Sequence, residues 1–145
     1  MAQVEENNLL RFVAAQDSVF EQVCAELDDG FKVTHWMWFV FPQLLGLGTS
    51  AMVVRFGIAD LNEAKGYLAH PVLGDRLRLC VQKVLGLQGK SATQIFGNVD
   101  AMKFKSSLTL FAIAAQGSAD SELFEKALKK YFAGFRDQKT VSLLG

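Results

Sequence analysis

Residues 60–89 read DLNEAKGYLAHPVLGDRLRLCVQKVLGLQG, and their period decides the fold. Asp60 stands in an N-cap place with Glu63 three residues on, a capping-box pattern with aspartate in the cap role. That helix ends at His70, because the residue before Pro71 avoids helical backbone. Pro71 then suits the first turn of a second helix. Its apolar stripe, Leu73, Leu77, Val81, Val84 and Leu85, recurs every three or four residues.

The same period continues outward. Toward the N-terminus Leu9, Phe12, Val13 and Gln16 share one face, and Val19, Phe20, Val23, Cys24 and Leu27 repeat it. Asp17 or Ser18 is placed to cap the second piece, and Gly30 to stop it. Toward the C-terminus Ser91 caps a short helix ending at Gly97, and a helix over 99–115 turns Phe104, Leu108, Phe111, Ala112 and Ala115 inward. Residues 118–132 place Leu123, Phe124, Ala127, Leu128 and Tyr131 in phase, and a last short helix holds Val141, Leu143 and Leu144. Only 31–58 resists: AMVVRFGI (51–58) reads equally as a short strand or a buried helix. The expectation is an all-α fold, one compact domain over 9–145 after an acidic leader at 1–8. It has about six to eight unequal helices, packed orthogonally rather than as an up-down bundle.

Composition agrees. A chain of 145 residues, half of them hydrophobic and 21% charged, suits one globular domain and excludes disorder. Fifteen basic residues balance fifteen acidic ones, which argues against wholesale nucleic-acid or anionic-membrane binding. The N-terminus lacks the pattern of a secretion signal, and no apolar run is long enough to span a bilayer. Cys24 and Cys80 lie far outside CxxC spacing, so a reduced, cytoplasmic chain is expected. Two histidines are too few for most His-rich metal sites. GLGTS (46–50) fits neither GxGxxG nor a P-loop, and there is no GxSxG or HExxH, so no metal or cofactor is expected.

Two stretches can carry chemistry. THWMWFVFPQ (34–43) is apolar nearly all round, which means burial, yet His35, Trp38 and Gln43 bring polar tips that want partners. A flat ligand such as a nucleobase would need such a mixture of aromatic, imidazole and amide groups. In NVDAMKFKSSLTLF (98–111), Asp100, Lys103 and Ser107 share a helix face that is either solvated or able to bind a ligand and move a proton. Ser106 and Thr109 are further hydroxyls inside that helix, where they often bond back to the preceding turn. Gln16 falls in phase with apolar neighbours, so its amide must find a partner.

The blocks RFVAAQ (11–16), HWMWFVFPQLLGLGTS (35–50), HPVLGDRL (70–77), IFGNVDAMKFKSSLTLF (95–111) and GFRDQKTVSLL (134–144) resemble those of domain-of-unknown-function family 1810. These are small bacterial proteins sometimes labelled calpastatin. The resemblance covers nearly the whole chain and implies an all-helical fold without an established activity. It marks Arg11, Gln16, His35, Trp36, Trp38, Pro42, Gln43, Gly48, Ser50, His70, Asp100, Lys103, Ser107 and Thr109 as hallmarks, with Asp137 and Thr140 near the end. The Asp-x-x-Lys block is also faintly similar to N-glycosidase proteins acting on ADP-ribose-like compounds.

The resulting expectation is a cleft walled by Trp36 and Trp38, binding a small planar or nucleotide-like ligand. Arg11, Gln16, Gln43, Ser50, Lys103 and Ser107 serve binding, and His35, Asp100 or Lys103 serve any catalysis. Two alternatives stand beside it. One is a protein- or nucleic-acid-interaction module using Lys126, Lys129, Lys130, Arg136 and Lys139. The other is an N-glycosidase-like enzyme.

Overall fold

Helix α8 (Asn98–Ala114) is the hub, because its sequence is apolar on most of its circumference. Ala101, Phe104, Leu108, Leu110, Phe111 and Ala112 are buried, and Ser106, Ser107 and Thr109 are buried among them. The hydroxyls of Ser106 and Thr109 donate to the carbonyls of Met102 and Lys105 one turn back, so two polar groups enter the core without orphaned hydrogen bonds. The computed structural model describes residues 2–145, with side chains from Asn8 onward.

The other helices are α1 (Ala2–Asp17), α2 (Phe20–Asp29), α3 (Met37–Val40), α4 (Ala51–Phe56), α5 (Leu61–Ala69), α6 (Leu73–Leu85), α7 (Ala92–Phe96), α9 (Ser121–Phe132) and α10 (Gln138–Leu144). Helices α3, α5, α7, α9 and α10 pack on α8, while α6 bridges α2, α5 and α9. The fold is all-helical, with no strand among the described residues; one isolated parallel bridge joins Leu44 to Ile58. No described helix is long and apolar enough to cross a membrane.

Ten helices stand among the described residues where six to eight are expected. The surplus comes from 31–58, which yields α3 and α4, of four and six residues. Helices that short complete barely one turn, so they leave no period to read. Ser50 caps α4 by accepting from the backbone N–H of Val53, which resolves AMVVRF (51–56) as helix, while Gly57 is extended and Ile58 bridges Leu44. Helix α1 begins within the acidic stretch, at Ala2. Neither Asp17 nor Ser18 caps α2, whose N-cap is Val19 with no side-chain bond.

Two junctions fix the frame around the site. At the α5–α6 corner, a Cβ on Gly74 would stand 2.2 Å from the carbonyl oxygen of Leu68, so only glycine permits that approach. His70 serves this corner by accepting from the backbone N–H groups of Val72 and Leu73 at the start of α6. Around α8 the rings of Phe41, Phe96 and Phe104 pack with centroids 4.8–6.0 Å apart. Large aromatic pieces of this kind supply a major share of the burial energy, about 2–3 kcal/mol each.

Candidate functional site

The tryptophan pair of the 34–43 stretch divides between interior and surface. Trp36 is 1% exposed, and its indole N–H donates to the Glu26 carboxylate at 3.0 Å. Glu26, itself buried, also accepts from the backbone N–H groups of Val33 (2.7 Å) and Thr34 (3.0 Å), the Thr34 hydroxyl (2.6 Å) and the Gln22 amide (3.0 Å). Burial pushes its carboxyl up, but the bonds from Thr34, Val33 and Gln22 outweigh that and hold it down at about 2. The chain after α2 is thereby wrapped around an ionised carboxylate. Trp36 closes that wrapping and is no cleft wall.

Trp38, two residues on, is only half-buried, and its ring lines a hollow. Trp38 lines a narrow slot of about 10 Å³ with Gln43, Met52, Val53, Phe56 and Gly57; beside it lies a cleft of about 420 Å³, and the two share Gln43 and Val53 but not Trp38. The wider part is bounded by Leu47, Gly48, Val99, Met102, Lys103 and Ser106 as well. One wall therefore comes from the α3–α4 segment and the opposite wall from the first three turns of α8. The Lys103 ammonium lies 5.2 Å from the Trp38 ring centroid, and the His35 ring lies 6.5 Å away on the exposed side. At such distances a cation is drawn to the negative face of an indole.

Behind Lys103 stands a charge relay. Asp100 approaches Lys103 at 3.7 Å and Lys32 at 2.8 Å. The Lys32 side chain is only 5% exposed, and its ammonium also lies 5.1 Å from the Trp36 ring. Asp100 is thus held chiefly by a buried partner, and Lys103 is the charge that reaches the hollow.

The expected set separates into three groups. Gln43 and Lys103 line the cleft, Trp38 lines the adjoining slot within 5.2 Å of the Lys103 ammonium, and His35 and Asp100 stand beside that pair. Trp36, Gln16, Arg11 and Ser107 are placed elsewhere. The amide of Gln16 donates to the Phe39 carbonyl (2.7 Å) and the Tyr67 hydroxyl (3.0 Å) and accepts from Arg76, which joins α1, α3, α5 and α6. Arg11 binds the Glu63 carboxylate and donates to the carbonyls of Arg55 and Gly57 at 2.9 Å, stapling α1 to the α4–α5 turn. Ser107 is sealed on the inner side of α8, and Ser50 is spent on its cap.

Ser106 lines the cleft where Ser107 does not. At about 100° per residue, Ser106 lies about 60° from Lys103 on the side away from Phe104, whereas Ser107 turns toward Phe104. Val99, Met102, Met52 and Val53 also escape a sequence reading, since apolar residues at a cleft resemble core. The one available signal is that Val99 and Met102 fall outside the buried stripe of α8; Val99 is 70% exposed.

Several other candidate groups have structural surroundings of their own. Burial pushes the thiols of both Cys24 and Cys80 up, which disfavours a thiolate nucleophile. Among the C-terminal bases, Lys126 pairs with Glu122 and Arg136 with Glu125, while Lys130 donates to the carbonyls of Leu85 and Leu87 at the end of α6.

These features define an all-helical, single-domain protein with a surface cleft bordered by Gln43 and Lys103 and an adjoining narrow slot lined by Trp38. The chain belongs to the family described as "Protein of unknown function (DUF1810)", whose pattern it matches over residues 6–144. It is similar to the conserved hypothetical protein Rv1873 from Mycobacterium tuberculosis, known from a crystal structure. The two share 49% identity and a TM-score of 0.91, with 94% of this chain and 96% of that one covered. No functionally curated protein matches the chain.

Proposed function

We propose that the protein binds a small planar, nucleotide-like ligand in the cleft bordered by Gln43 and Lys103, with Trp38 at its edge. The observation that carries this reading is the difference in commitment among polar side chains. Glu26, Gln16 and Arg11 are saturated by partners within the fold. Gln43 and Lys103, in contrast, border a hollow of ligand size. Trp38 offers a flat face for stacking, Gln43 an amide for orientation, and Lys103 a cation for an anionic group. Any proton transfer to the ligand would fall to Asp100 or His35, the two titratable neighbours of that pair.

The test is a thermal-shift screen of nucleobases, nucleotides and aromatic acids against the wild-type chain and Trp38→Ala. Compounds that raise the wild-type Tm should lose that effect in Trp38→Ala. Shifts that persist unchanged in the variant contradict the reading.

A further inference from the structure

We infer that the ligand of this cleft is an amphipathic monoanion, a flat apolar body carrying one carboxylate or one singly charged equivalent, rather than a polyphosphate. The inference rests on the cleft being a binding site and narrows its chemistry. Of the residues lining the wider hollow, Lys103 alone is charged and none is acidic, while Leu47, Val53, Val99 and Met102 make most of the rest apolar. Such walls desolvate a hydrocarbon ring at a gain, and desolvate extra charges at a loss.

The charge behind the wall sets the limit. Lys32, Asp100 and Lys103 carry two positive charges and one negative, a net of one positive charge. Lys32 is nearest Asp100 and buried, so the surplus charge is the one presented at Lys103. One anion completes the arrangement. A second negative charge finds no cation among the lining residues and stands close to the Asp100 carboxylate, 3.7 Å behind Lys103. Polyphosphate sites instead surround their ligand with several cations or a run of backbone N–H groups. Here Ser106 spends its proton on the Met102 carbonyl, which leaves the Gln43 amide as the neutral donor among the lining side chains.

The experiment is isothermal titration of the full chain with 2-naphthoate, its neutral isostere 2-naphthamide, AMP and ATP, repeated with Lys103→Met. The expected order in the wild type is 2-naphthoate tightest, then 2-naphthamide, with ATP weakest. Lys103→Met should weaken 2-naphthoate about tenfold and leave 2-naphthamide unchanged, since a charge-assisted bond is worth about that much. Equal affinity for acid and amide, both insensitive to Lys103→Met, overturns the monoanion while leaving a planar-ligand cleft. AMP or ATP binding more tightly than 2-naphthoate overturns it too, in favour of a phosphate site. Binding by none of the four overturns both the monoanion and the cleft.

Discussion

Trp36 and Trp38 sit one residue apart around Met37 and live in opposite environments. Around Trp36 the buried side-chain polar atoms have partners, and the Glu26 carboxylate draws five donors from α2 and the following loop. Around Trp38 the polar groups face a hollow, and the nearest charge is a lysine whose acid is already shared. The lesson is that polar residues embedded in apolar sequence have two uses. A saturated network defines the fold; an unsaturated one is available to a ligand.

This contrast is broken most severely at Glu26. Replacing it with alanine strands the indole N–H of Trp36 and the backbone N–H groups of Val33 and Thr34, and should cost about 3–5 kcal/mol in urea unfolding. A loss under 1 kcal/mol would remove the claim that this region is a structural network. Acid tests the same carboxylate. Its folded value of about 2 lies below the ordinary 4.5, so its contribution is fully present above pH 4.5 and drains away as pH falls toward 2. That difference corresponds to about 3 kcal/mol. Glu26→Gln should show a visibly flatter stability profile across that window, and an unchanged profile would assign acid sensitivity elsewhere.

Gln16 gives a smaller effect of the same kind. Gln16→Leu removes the short bond to the Phe39 carbonyl, which keeps only the longer one from the Tyr67 hydroxyl, and one acceptor of Arg76, which keeps Asp17; it should cost about 1–2 kcal/mol. At the other end of the scale, Lys103→Met should change stability by no more than about 0.5 kcal/mol, because its ion pair is long and partly exposed. Its effect belongs to ligand affinity instead. A large stability loss there would erase the distinction between the two tryptophan regions.

How much of this was readable in the sequence follows from the same distinction. The long helices α5, α6, α8 and α9 announce themselves because each repeats its apolar face over several turns. Helices α3 and α4 do not, because four and six residues cannot repeat anything; the packing of Trp36, Phe39, Phe41 and Phe56 holds them. Trp38, Gln43 and Lys103 stand out in the sequence and border hollows in the structure, yet Gln16, Arg11, Trp36 and Ser107 carry the same signature of polarity in an apolar frame. Sequence spacing gives a residue's face, and only its partner in space decides between lock and pocket. Ser106 over Ser107 turns on about 100° of helix rotation, a margin finer than the notion of a shared face.

The most direct measurement follows the two indole N–H signals of ¹⁵N-labelled protein during titration with 2-naphthoate. The Trp38 signal should shift in a saturable manner, while the Trp36 signal, bonded to Glu26, stays in place. Movement of Trp36 without Trp38, or of neither at saturating ligand, would contradict a cleft built on Trp38 and Lys103.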